Sequence, residues 1–216
     1  MMHRLSHVDA NANFEPTPYR FASDWIATQV AERLLKLSEK KQVEYASITT
    51  PSFGAVRGIM FEQVAHRSLI AGDRFQVRIG TRTTDVKYKK HPVGRCKPDL
   101  KDWQSGVYYW PISKTTQSID SFRVRGDVLI MFQMTVSETH GVRLQGVLDV
   151  LKRFPNVTQH VLYFVVPHDR FADFKLTSGY LKPNGTLYKV LPTEHKETLE
   201  TLLENMRVLC IDLSVS

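Results

Sequence analysis

Cysteine is scarce in this 216-residue chain. Only Cys96 and Cys210 occur, with no CxxC pair and no Cys/His cluster. The sequence therefore offers neither a disulfide framework nor a zinc site, and a reducing working compartment is expected. No apolar run reaches the roughly 18 to 20 residues of a membrane span. The opening "MMHRLSHVDANANF" has no apolar h-region, so no signal peptide is read in the chain. Internal repeats, low-complexity tracts and a G-x-x-x-x-G-K-[ST] phosphate loop are also missing. Disorder is excluded by the apolar content of 42%, which is enough for one core.

Acid is sparse in one place. Between Arg74 and Lys101 nine basic residues face only Asp85 and Asp99, so this stretch carries a net +7, the net charge of the whole chain. Such a concentration attracts a polyanion, of which nucleic acid is the commonest. The candidate contacts are Arg78, Arg82, Lys87, Lys89, Lys90, Arg95 and Lys97, with DNA favoured over RNA. The alternative is a solvated basic loop whose charge serves solubility.

The rest of the pattern gives an element order. Residues 1–17 are polar and read as a frayed start, and residues 18–50 as a helical extension. Within it, "ASDWIATQVAERLLKLSEKK" has helical spacing with Ser23 as N-cap. Residues 51–216 read as the main domain. "GIMFEQVAHRSLIAG" is a second helix closed by Gly72, with Glu62 and His66 four apart on one face. "RFQVRIG" is a strand, "DVKYKKH" a weaker strand or basic loop, and "GVYYWPI" a short aromatic strand. Tyr108, Tyr109 and Trp110 suit base stacking or the core equally. "SIDSFRV" and "VLIMFQMTVS" form a hairpin around Arg125-Gly126-Asp127, with Asp127 as a turn residue. A helix over "VRLQGVLDVLKRF", a buried strand "QHVLYFVVP", a helix "TEHKETLETLLENM" capped by Thr193 and a last strand "RVLCIDLS" follow. Strand, helix, strand implies parallel crossovers. The class is α/β (α+β), a mixed sheet flanked by helices.

Inside the hairpin stand two groups that strand interiors usually exclude, Asp120 and Gln133. Side chains alternate, so Gln133 and Thr135 share a face. With Asp120 on that face, and Glu62 added from the helix, hard oxygen donors converge. That set suits Mg²⁺ or Mn²⁺, an ion that activates water and stabilises phosphodiester chemistry. Asp120 could instead pair with Arg123 or Arg125, and Glu62 could lie on a solvated helix face. Gln133 needs buried hydrogen-bond partners wherever it lies. The literal "PDLK" at Pro98 to Lys101 sits in a polar loop and is treated as coincidence.

Helix-Glu, strand-Asp, hairpin, strand-[E/Q]-x-[K/T], helix, strand resembles the PD-(D/E)xK restriction-endonuclease-like core. The segments "FASDWIATQV", "RGIMFEQVAHRSL", "SIDSF", "FQMTVSETHGV" and "VLYFVVP" look like the C-terminal domain of Crinkler-type effectors and retrotransposon hot spot proteins. The resemblance implies a restriction-endonuclease-like fold and a Mg²⁺-dependent nuclease. Glu62, Asp120 and Gln133 would be its metal ligands, with Thr135 or His140 orienting the water. It also implies secretion into a host cell, action in the nucleus, and a possible host protein partner. Two departures matter. Gln133 stands in place of an acid and brings no charge, and Thr135 stands in place of a lysine and cannot act as a cation. His140 or Lys152 would have to compensate. The alternatives are a catalytically inactive module of the same fold that binds nucleic acid, and a protein-interaction domain.

Overall fold

The computed structural model describes residues 26, 29–30, 33–50, 53–94, 103–110 and 118–214, and the backbone alone of 6–7, 20–21, 95–96 and 111. It divides into two compact units, Met1–His66 with Asp212–Ser216, and Arg67–Ile211. Most of the expected frayed start, and the expected N-cap Ser23, lie outside the described residues. What is described there is a two-residue antiparallel pair, β1 (Ser6–His7) with β2 (Arg20–Phe21).

In the first unit the long helix expected over residues 22–41 is broken. Helical backbone at Ile26, Gln29–Val30 and Arg33–Leu34 ends in a turn at Leu35–Leu37. Ser38 then caps a new helix, α1 (Glu39–Ala46), its side chain accepting the Lys41 N–H. The cap satisfies a first-turn donor, which is why Ser interrupts here rather than continuing. Buried Gln42 reinforces the break by donating to the Leu35 and Leu37 carbonyls at 2.9 and 3.0 Å. The next helix, α2 (Gly54–Ala71), starts earlier than the pattern suggested. Buried Arg57 donates from Nε to the Ala46 carbonyl at 2.9 Å.

The second unit takes in the end of α2 and a mixed sheet. Its strands are β3 (Arg74–Ile79), β4 (Arg82–Lys87), β5 (Val93–Cys96), β6 (Tyr108–Pro111), β7 (Ser121–Arg125), β8 (Val128–Met134), β10 (Gln159–Pro167) and β12 (Met206–Ile211), in the order β4-β3-β12-β10-β8-β7-β6-β5. A satellite pair joins β9 (Val142–Arg143) to β11 (Tyr180–Leu181). The helices are α3 (Leu144–Leu151), the one-turn α4 (His168–Phe171) and α5 (Lys196–Glu204). Strand β10 is parallel to both β8 and β12, so α3 and α5 are the crossovers of two βαβ units. Its apolar run has no alternation because strands in such a position are covered on both faces. One face holds Leu162, Phe164 and Val166 in the main core, with Val147 of α3 and Leu199 of α5. The other face carries Tyr163, stacked on Phe132 with centroids 5.7 Å apart. Among the described residues no helix is long and apolar enough to cross a membrane.

β5, in a stretch given no element by the sequence pattern, is a strand because it pairs in parallel with β6. Two local expectations are corrected. Thr193 opens a 3₁₀ turn, Thr193–His195, and α5 begins only at Lys196. Asp120 lies just before β7, at a bend, rather than within the strand. The hairpin turn is as expected: Gly126 has φ +61° and Asp127 carries no positive φ, the arrangement of a type II′ loop. Asp127 closes it by accepting the Thr158 and Gln159 backbone N–H groups at 3.2 and 3.1 Å.

Gly72 ends α2 with φ +74°, and a Cβ there would lie 2.4 Å from the Lys89 carbonyl carbon. Gly72→Ala is therefore expected to cost more than about 1 kcal/mol. A urea unfolding curve checks this; an unchanged midpoint would contradict it.

Candidate functional site

The hairpin register positions the acid and the amide. Ser121 pairs with Phe132. One step outward the same register sets Asp120 beside Gln133, and Gln133 is itself paired with Phe164 of β10. All three share the face of the main core. The Asp120 N–H donates to the Phe132 carbonyl at 2.9 Å, and the Met134 N–H donates to Asp120 Oδ2 at 2.6 Å. The Asp120 carboxylate thus takes the place of a backbone carbonyl in the ladder. The two hydrogen bonds, one from the Asp120 N–H and one to its carboxylate, fall on the residues either side of Gln133. Arg123, an alternative partner considered for Asp120, belongs to the opposite face by alternation and contacts His91 instead.

Gln133 is 3% exposed, and its Oε1 has no hydrogen-bond partner among the described residues. Leaving a buried acceptor unsatisfied costs about 1–3 kcal/mol, so such an atom asks for an explanation. Two residues on, the Thr135 hydroxyl accepts the Ser137 N–H at 3.1 Å and lies 3.3 Å from His140 Nδ1. The direction of that contact depends on the His140 tautomer: either the Thr135 O–H donates to Nδ1, or a protonated Nδ1 donates to the hydroxyl oxygen. In the first case neutral His140 carries its proton on Nε2. The imidazole stands edge-on to Phe164, centroids 6.5 Å apart. Asp120, Gln133, Thr135 and His140 therefore gather around Phe164 at the carboxyl end of β8. Asp120 and His140 are only half-buried, which leaves the group a route to solvent.

Burial lowers the His140 pKa from its ordinary 6.5. The folded state thus favours the neutral ring, while the unfolded chain takes up protons below 6.5. Stability is complete above that pH and is lost as pH falls toward the folded pKa. Burial lowers His91 and His160 likewise. The melting temperature is expected to drop between pH 7.5 and pH 5, and less steeply in His140→Asn; equal slopes for the two proteins would contradict the assignment.

Glu62 lies on α2 in the first unit, its Oε1 3.9 Å from Nε2 of fully buried His66. Among the described residues no three His, Cys, Asp or Glu side chains group as a metal cage. Within the second unit the strand register sets one carboxylate, Asp120, opposite one amide, Gln133. Lys152, considered as a compensating cation, is exposed. It lines a separate cleft of about 390 Å³ with Phe154, His160 and His195.

The basic residues separate into kinds. Arg82, Lys87, Lys89 and Lys90 are exposed on the edge strand β4 and the segment after it. Arg78 is used internally: its Nη2 donates to the Phe171 and Phe174 carbonyls at 3.3 and 2.5 Å. Only the backbone of Arg95 is described, in β5, and Lys97 lies outside the described residues. Sequence reasoning missed the buried Arg123, 6% exposed. Its signal was a cation at an inward position of "SFRVR". Compared with known proteins, the chain matches no family model, no curated protein and no solved structure.

Proposed function

We propose that this chain binds nucleic acid through Arg82, Lys87, Lys89 and Lys90 and hydrolyses phosphodiester bonds at Asp120 and Gln133. The observation that carries the catalytic part is the buried Gln133 Oε1, without a partner among the described residues and held beside a carboxylate. An anionic oxygen next to an amide oxygen is a hard donor pair of the kind Mg²⁺ or Mn²⁺ accepts. When bound, the ion would polarise the phosphoryl group and lower the pKa of its water. Asp120, anchored by the Met134 N–H, supplies the charge. Where Thr135 donates to Nδ1, His140 carries its proton on Nε2, and that N–H can donate to a phosphoryl oxygen. Glu62 enters this reading as the helix carboxylate that the sequence resemblance implies. The restriction-endonuclease-like fold and a setting in a host nucleus enter in the same way, and a fluorescent fusion followed in host cells tests the latter.

A second reading is favoured by Thr135, whose hydroxyl is engaged on both sides where a lysine would be expected. It keeps nucleic-acid binding without hydrolysis.

Gln133→Leu separates the two. Removing the unsatisfied amide is expected to stabilise the metal-free protein by about 1–3 kcal/mol. It should also abolish the rise in melting temperature that Mn²⁺ gives the wild type. If Mn²⁺ stabilises both proteins equally, or neither, the metal-site reading fails.

A further inference from the structure

We propose that Arg123, with the Tyr88 hydroxyl and the neighbouring Arg125, binds a phosphoryl group on the sheet face opposite Asp120 and Gln133. The proposal stands independently of the nuclease reading. On β7 the alternation sends Phe122 and Val124 into the main core and turns Arg123 to the other face. There Arg123 is 6% exposed, and its guanidinium carbon lies 4.5 Å from the centroid of the Tyr88 ring. Its Nη1 contacts His91 Nε2, while its Nε has no hydrogen-bond partner among the described residues. Tyr88 is 8% exposed; its hydroxyl interacts with the neighbouring Tyr163 phenol but makes no hydrogen bond of full geometry among them. No carboxylate among the described residues forms an ion pair with Arg123.

The protonation states follow from the contacts. Arg123 can only donate, so His91 Nε2 must accept, and the imidazole is neutral. A backbone hydrogen bond to Gly106 holds its other side. Burial first, and then the charge of Arg123, keep the His91 pKa below its ordinary value. His91 is thus a positioning residue for a cation, not a second cation. Burial also lowers the pKa of Arg123, and the phenols of Tyr88 and Tyr163 only partly offset this. Arg125 adds positive charge within reach of both, and exposed Lys89 and Lys90 lie on the segment that carries Tyr88 and His91. A buried guanidinium amid further cations, with no acid paired to it among the described residues, is costly unless an anion completes it. Guanidinium N–H groups and a phenol hydroxyl are donors that match phosphoryl oxygens. The surplus of cations favours a dianion over a carboxylate.

The test titrates the full chain with sodium phosphate at pH 7.5, against sodium chloride of equal ionic strength, following the melting temperature and the heat of binding. Phosphate is expected to stabilise the wild type where chloride does not. Arg123→Gln should weaken the affinity about tenfold or more and Tyr88→Phe about fivefold. Tyr88→Phe keeps the ring beneath Arg123, so its result stands even where Arg123→Gln does not fold. Adenosine monophosphate distinguishes the sources: tighter binding than phosphate assigns the site to a nucleotide, equal binding to free phosphate, and either supports it. If neither ligand exceeds chloride, or if Tyr88→Phe binds phosphate as the wild type does, the proposal is overturned.

Discussion

Truncating Phe164 to alanine is expected to cost about 3–5 kcal/mol, the loss typical of a buried phenylalanine whose site cannot collapse. Phe164 is fully buried on β10, between β8 and β12. Strands on both sides are held in parallel register, so the backbone cannot close the gap. Its ring lies 5.1 Å from that of Phe174 and 6.5 Å from that of His140, and its strand partner is Gln133. One truncation therefore empties the core and removes the surface against which the imidazole stands. For a chain of this size the melting temperature should fall by about 2–4 °C per kcal/mol, near 10 °C in total. Phe164→Leu, which keeps most of the volume, should cost about 1.5 kcal/mol or less. Equal losses for the two variants in denaturant unfolding would mean that the ring does not fill this space.

Reversing Lys87, Lys89 and Lys90 together to glutamate is expected to lower nucleic-acid affinity about 100-fold near 0.1 M salt. Phosphate contacts dominate such binding, and each one displaces counterions. The three lysines are exposed at the end of an edge strand and just beyond it, so the change acts on the surface and leaves the core alone. If each touches a phosphate, the slope of log affinity against log salt should shrink by about 0.9 per contact. Arg78 makes an informative contrast. Because its guanidinium is spent on the Phe171 and Phe174 carbonyls, Arg78→Gln should lower stability with little effect on the salt slope. Unchanged binding by the triple variant in a gel-shift titration would leave the basic stretch as a solvated surface.

Periodicity made the parallel part of the fold legible. The run Gln159–Pro167 could be read as a buried strand because nine residues contain no turn former before the end. The hairpin turn was legible because Arg125-Gly126-Asp127 offers glycine where a positive φ is needed. Pattern failed where one local hydrogen bond overrides it. Ser38 caps and so splits a helix whose apolar spacing continues through it. Asp120 ends the strand ladder with its side chain, which no alternation rule anticipates. The shared face of Asp120 and Gln133 could be inferred from alternation. The missing partner of Gln133 and the Thr135–His140 contact could not, because both depend on how a loop folds back onto the sheet. The internal role of Arg78 was hidden for a similar reason: its acceptors lie 93 and 96 residues away in the chain.

The most direct test of the central claim is plasmid nicking by the wild type and by Asp120→Asn in Mg²⁺. Asparagine keeps an oxygen for the Met134 N–H and removes only the charge, so both proteins should fold and bind DNA alike. The account predicts Mg²⁺-dependent nicking by the wild type, stopped by chelation, and at least about 100-fold slower in the variant. Equal nicking rates for the two proteins, or DNA binding with no nicking by the wild type in Mg²⁺ or Mn²⁺, would contradict it.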